Sequence, residues 1–284
     1  MFEQGNKALV LGPQSSGKTV LLCGIYRHVK YIEPIPHVED EDDLLKGIKN
    51  LDGGEWPPTT DRVYIYDFVV GENRSIKGVD TPGQKFEEWT NEIIKKEIRK
   101  GEKTKAILKI VAPTLGSIFL IGTIIKYLHP IFMIISIPLI LVPFIIGGKQ
   151  EETEEEIEDE NKEEFYRDLK TSKIWMLTIP ANIKDNTGYQ INLYNRYKNL
   201  LKVFRPKRVG IIITMADLFK YEEDRKIFFK KKHYRDLENF IKDLTRNNYK
   251  VFEYCVETEN GKPKRFPEGF KVRGVEEILK WLRE

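Results

Sequence analysis

Cysteine is almost missing from this chain: Cys23 and Cys255 are the two among 284 residues, and histidine is scarce too, with four. Two thiols build neither a disulfide framework nor a multi-thiolate zinc site, and four imidazoles leave little for another metal cluster, so a reducing compartment is expected. Cys23 fits a small buried residue better than a reactive thiol. A dominant charge is missing as well. Lys and Arg number 47 against 44 Asp and Glu, a net of +3, which gives no overall drive toward nucleic acid. The start, MFEQGNKALV, lacks a charged segment followed by a long apolar run, so no signal peptide is expected.

The rest of the chain alternates two periodicities. KALVL, residues 7–11, is a short strand, and Leu21, Leu22, Ile25 and Val29 place a helix over 18–30. RVYIYDFVV (62–70), the turn Gly71–Asn73 and residues 74–80 predict a β-hairpin. Phe86, Trp89, Ile93, Ile94 and Ile98 predict a helix reaching about Lys100. Strands follow at 174–179, 209–214 and 250–256, and helices at 189–204, 235–246 and around Val275–Leu282. Strands alternating with long helices predict an α/β domain, a mostly parallel sheet with helices on both faces and one antiparallel hairpin near its start.

Gly12–Thr19, GPQSSGKT, satisfies G-x-x-x-x-G-K-S/T between a predicted strand and a predicted helix. Glycines at both ends let the backbone curl so that successive N–H groups face an anionic phosphate, while Lys18 adds a point charge and Thr19 a hydroxyl for Mg²⁺. Gly12, Gln14, Ser15, Ser16, Gly17, Lys18, Thr19 and Val20 are the candidate phosphate-binding residues. DTPGQ, residues 80–84, closes the second hairpin strand. There Asp80 suits a partner of Mg²⁺, Gly83 can offer its N–H to a γ-phosphate, and Gln84 can orient an attacking water.

With Asp80, Gly83 and Gln84 in this order after the Gly12–Thr19 loop, the chain resembles the Ras-like P-loop GTPases, whose pattern is D-x-x-G followed by Gln or His. The resemblance covers the sequence on either side of residues 106–164. It implies a switch threonine that reaches Mg²⁺ just before the antiparallel strand, where Thr59 and Thr60 stand, Thr59 being favoured because it follows Pro58. It also implies an N/T-K-x-D motif after the fifth strand, which Thr214 and Asp217 match, with Met215 in place of the Lys. A carboxylate there accepts the adjacent N1 and N2 hydrogens of guanine, whereas adenine offers the opposite pattern, so GTP is preferred to ATP. Cys255 and Val256 occupy either the place of the loop that supports guanine with backbone N–H groups or a plain strand end.

Residues 106–148 hold two charges, Lys109 and Lys126, and 151–164 are strongly acidic, which suits a solvated helix extension or a linker without a core. The stretches 106–128 and 130–147 approach the roughly 17–25 residues of a membrane-spanning helix. Because strands of one sheet flank them, the chain must leave and return on one side, which asks for two crossings; a re-entrant loop or a greasy lid is the alternative. A re-entrant loop would bury Lys126, at about 2.5–3.5 kcal/mol, whereas a full crossing puts it in the far headgroups. Lys95, Lys96, Arg99, Lys100, Lys103 and Lys105 before the first crossing place the GTPase domain in the cytoplasm if they follow the positive-inside rule, or form a solvated helix face.

The expected organisation is a GTPase domain in two parts, 1–105 and 171–284, a helical membrane hairpin at 106–148 and an acidic linker at 149–170. The expected activity is hydrolysis of GTP to GDP by a membrane-anchored switch. Gln84 and Lys18 would be catalytic, Thr19, Thr59 and Asp80 would hold Mg²⁺, and an effector or activating protein would be the partner. The alternative is a GTP-sensing membrane tether that recruits a soluble partner without hydrolysis.

Overall fold

A computed structural model describes residues 8–32, 41–58, 64–69, 75–80, 85–101 and 160–284. The candidate hairpin 106–148 and the segment 149–159 lie outside these residues. Among the described residues no helix is long and apolar enough to cross a membrane.

The elements run β1 (Ala8–Leu11), α1 (Lys18–Ile32), α2 (Glu41–Asp52), β2 (Tyr64–Val69), β3 (Ser75–Asp80), α3 (85–101) and α4 (Glu160–Thr171). Then come β4 (Ile174–Pro180), α5 (Thr187–Phe204), β5 (Arg208–Thr214), α6 (Glu222–Lys230), α7 (Lys232–Thr245), β6 (Tyr249–Val256), the short strands β7 (Thr258–Glu259), β8 (Lys262–Pro263) and β9 (Val272–Arg273), and α8 (Val275–Arg283). The chain divides into two compact units, Met1–Ile94 with Asn161–Glu284, and Lys95–Glu160.

The first unit is α/β. Its main sheet has the order β1-β4-β5-β6-β9, parallel from β1 to β6 and antiparallel at β9. The β2–β3 hairpin is antiparallel as the sequence predicts, but it forms its own ladder, with β3 lying against β1 outside the main hydrogen-bonded sheet. Successive strand residues point to opposite faces. Leu9, Leu11, Trp175, Leu177, Ile211 and Ile213 therefore join one apolar core with residues of α3, α4, α5 and α7. Ala8, Val10, Ile174, Met176, Ile212 and Phe252 join the other, under α1, α2 and α8. Both faces being covered explains why the strands are nearly continuous apolar runs.

Helices α2 and α6 are absent from the sequence reading. In α2, Leu44, Ile48 and Leu51 recur at helical spacing, and Leu44 and Leu51 are fully buried in the α1 face. The stretch 149–170, expected as an acidic linker or solvated helix extension without a core, is helical from Glu160 onward and does supply core residues, because Phe165 and Leu169 at i and i+4 sink into the other core.

Candidate functional site

The loop between β1 and α1 is held from outside by two threonines on neighbouring strands. Thr178 on β4 donates its hydroxyl to the Leu11 carbonyl at 3.1 Å and lies 2.8 Å from the Ser16 hydroxyl. Thr214 at the end of β5 donates to the Ser16 carbonyl at 2.6 Å. Beneath them Tyr197 on α5 donates to the Thr178 carbonyl at 2.6 Å, and burial holds its phenol neutral by raising its pKa well above the ordinary value. Backbone geometry completes the curl. Gly17 has φ 78° and Ser15 φ 57°, the left-handed region open to glycine and costly for other residues. At Gly12 a Cβ would fall onto the Thr178 hydroxyl and within 2.6 Å of Ser16 Oγ, so only glycine lets loop and strand approach this closely. Lys18, buried to 5% exposure, donates its ammonium to the carbonyls of Gly12 at 3.0 Å and Pro13 at 2.9 Å.

This loop forms one wall of a cavity of about 380 Å³, a volume in the range of small-molecule and cofactor sites. Gln14 to Val20 line it together with Thr214, Met215, Asp217, Cys255 and Val256. Residues far apart in sequence, singled out for phosphate and for base, thus face a single space. Thr214 lines it but commits its hydroxyl to the loop, so its role is to brace Ser16. Met215 turns the chain with φ 56° into the short 3-10 turn Ala216–Leu218, which carries Asp217. The Asp217 carboxylate accepts from the Thr258 hydroxyl on β7 at 3.0 Å. Cys255 is buried beside it; burial raises the thiol pKa, opposed by the positive charge of Arg273. A neutral, shielded thiol is a wall of the cavity and not a nucleophile.

Neither family models nor curated proteins give a match to this chain.

The remaining candidates divide by location. Asp80 ends β3 opposite Tyr64, and Thr59, Thr60, Gly83 and Gln84 lie outside the described residues. Among the described residues no group of three or more His, Cys, Asp or Glu is arranged to hold a metal ion. Thr19 lines the cavity next to Lys18, and a hydroxyl joined by phosphate oxygens is the hard oxygen donor set that suits Mg²⁺. Sequence reasoning missed Trp56, Pro57, Pro58, Leu218, Tyr254, Thr258 and Gly261, all of which line the cavity. The signal at 56–58 was an aromatic and two prolines directly before Thr59; Thr258 carried none, since its partner Asp217 is 41 residues away.

Proposed function

We propose that this chain is a membrane-anchored protein of the Ras-like P-loop GTPase type, which binds GTP and hydrolyses it to GDP as a molecular switch. One observation carries the nucleotide part of this reading: the Gly12–Thr19 loop and the Asp217–Thr258 pair open on the same cavity. The loop offers curled backbone N–H groups and an ammonium, a combination suited to a polyphosphate. Asp217 offers an acceptor pair, which suits the adjacent N1 and N2 hydrogens of guanine, and Thr258 holds that carboxylate in a fixed orientation. Met215, Leu218 and Val256 supply apolar surface for the flat faces of a base.

In this reading Lys18 and the loop amides bind the β- and γ-phosphates and stabilise the charge that develops on them. Gln84 orients the attacking water, and the Gly83 N–H fixes the γ-phosphate. Thr19, Thr59 and Asp80 would hold Mg²⁺, which when bound neutralises phosphate charge. The chain supplies no arginine finger that its motifs identify, so slow turnover without a partner protein is the expectation. Residues 106–148 anchor the protein as two membrane-crossing helices, with the nucleotide domain on the cytoplasmic side; their length and near-absence of charge support this.

Nucleotide affinity of the full chain in detergent tests the reading. GDP should bind at least tenfold more tightly than ADP, and Asp217→Asn should reverse the preference between GDP and XDP, because a carboxamide pairs with the N1–H and C2 carbonyl of xanthine. Equal affinity for GDP and ADP would overturn the guanine assignment. Single-turnover hydrolysis by wild type and Gln84→Ala separates a switch from a non-hydrolysing tether: equal near-zero rates support the tether.

A further inference from the structure

Helix α6 is short and strongly charged, yet it carries apolar side chains on its outer side as well as its inner one. The inner side is fixed by aromatic packing: Phe228 is 1% exposed, and its ring lies 5.3 Å from that of Phe219 and 5.7 Å from that of Tyr234 at the start of α7. That packing needs nothing from the outer side. There Ile227 is 60% exposed, and Tyr221, the residue before the helix, is 69% exposed, the two highest values for large apolar side chains among the described residues. Tyr221 stands at the N-cap, where Ser, Thr, Asp and Asn serve because their oxygens accept from the helix, and its side chain makes no capping bond. Folding therefore asks for neither residue at these places.

The surroundings of these two side chains are basic. Lys220, Lys226, Lys230 and Lys232 are exposed, and none of them makes an ion pair among the described residues. Lys226 and Lys230 stand one turn apart, a spacing at which like charges destabilise a helix, and the negative end of the helix dipole favours Lys230 alone. The carboxylates nearby are largely engaged: Glu222 pairs with Arg225 at 3.4 Å, Asp224 with Lys184 at 3.3 Å, and Glu253 of β6 with Arg225 at 2.5 Å, which leaves Glu223 one turn before Ile227. Apolar tips set among lysines, on a helix clamped from behind, match the boundary layer of a bilayer whose headgroups are anionic. A nucleic acid would meet the lysines but has no counterpart for an exposed isoleucine.

We propose that α6 is a lipid-docking helix: Ile227 and Tyr221 enter the headgroup layer of an anionic bilayer, and Lys220, Lys226, Lys230 and Lys232 pair with its phosphates and carboxylates. The inference rests on the membrane reading above, which brings a bilayer within reach, and adds to it the surface that touches lipid and the lipid class it selects. One short helix with two apolar tips binds weakly by itself; it docks because a tethered domain meets the bilayer at high local concentration. Such docking is reversible and depends on anionic lipid and on salt, whereas an anchor of two crossings depends on neither.

The test uses the full chain reconstituted into nanodiscs of phosphatidylcholine alone or of phosphatidylcholine with phosphatidylserine. Cys23 and Cys255 are buried, so a nitrobenzoxadiazole label attaches at an introduced thiol, Ile227→Cys. Its emission should shift to the blue and be quenched by nitroxide lipids in the anionic discs and not in the neutral ones, and a label at Glu277→Cys, exposed on α8 across the sheet, should respond in neither. In the labelled chain, Lys226→Gln with Lys230→Gln should move the ratio of docked to free domain about thirtyfold toward free, about fivefold for each lysine, and Tyr221→Ser should diminish the blue shift and the quenching. High salt should reverse the response of the unsubstituted labelled chain. Equal emission in the two kinds of disc overturns the proposal and leaves the anchor standing. A response to single-stranded RNA without one to anionic lipid overturns it too, and would make the surface a nucleic-acid site. A chain that stays soluble and enters neither kind of disc overturns the anchor and this proposal with it. The substituted side chains are exposed, so the fold tolerates their loss.

Discussion

A methyl group on Gly12 has nowhere to go, since the Thr178 hydroxyl already occupies the place it would take. Gly12→Ala should therefore cost about 1–3 kcal/mol in urea denaturation, the scale of an overpacked core, and weaken GDP binding at least tenfold. Adding Thr178→Ala should return part of the stability, because it removes the colliding atom; strictly additive losses would show that the strain lies elsewhere. Losing Thr214 acts differently, since Thr214→Val leaves the Ser16 carbonyl without its 2.6 Å donor at a site that is 1% exposed. About 1–3 kcal/mol of destabilisation is expected, read from the same denaturation curves. At this scale the sequence was legible where chemistry is written in consecutive residues, as in Gly12–Thr19. It was silent where a role depends on partners across the fold: Ser16 and Thr178 are 162 residues apart, and neither residue type announces the other.

Among the elements, α3 is the one joined to the candidate switch residues, and its first turn is fixed by an aromatic cluster. Phe86, fully buried two residues after Gln84, meets Phe165 of α4 and Tyr197 of α5, each at 6.4 Å between ring centroids and close to edge-on. Arg196 of α5 adds an ion pair to Glu87 at 2.8 Å. Phe86→Ala should lower stability by about 3–5 kcal/mol, measured by thermal or urea unfolding, and Phe86→Leu much less, because it refills most of the volume. The strands and the long helices were legible because each carries enough apolar residues to display its period. Helices α2 and α6 were not, because a few apolar residues among charged neighbours look like solvated chain until tertiary burial selects the helix. The β7–β8 turn was hidden for a related reason: with two residues per strand it has no period to detect.

For the whole molecule, buried phenols set the alkaline limit. Burial raises the pKa of Tyr194, Tyr197, Tyr234 and Tyr254 above the ordinary value of 10.0. Above pH 10 the unfolded chain releases these protons while the folded chain keeps them, so their contribution is whole below about pH 10 and is lost as pH rises, at about 1.4 kcal/mol per pH unit for each phenol. Urea midpoints should be flat between pH 8 and 9.5 and drop steeply by pH 11, with a step in tyrosinate absorbance at 295 nm that coincides with unfolding; unfolding without such a step would contradict this. A second global property follows from the aromatic contacts of α3 and α4. Trp89 and Phe165 stand 5.9 Å apart, and Glu92 pairs with Lys162, so α3 up to Ile94 and α4 from residue 161 meet within the first unit. Replacing 102–159 by a short Gly/Ser linker should leave unfolding cooperative and GDP affinity within about threefold of the full chain, since closing a loop across neighbouring ends has a small entropic cost. Under the proposed function the apolar segment is then a detachable cassette, and a head that binds GDP without it is one that can be purified without detergent and crystallised alone.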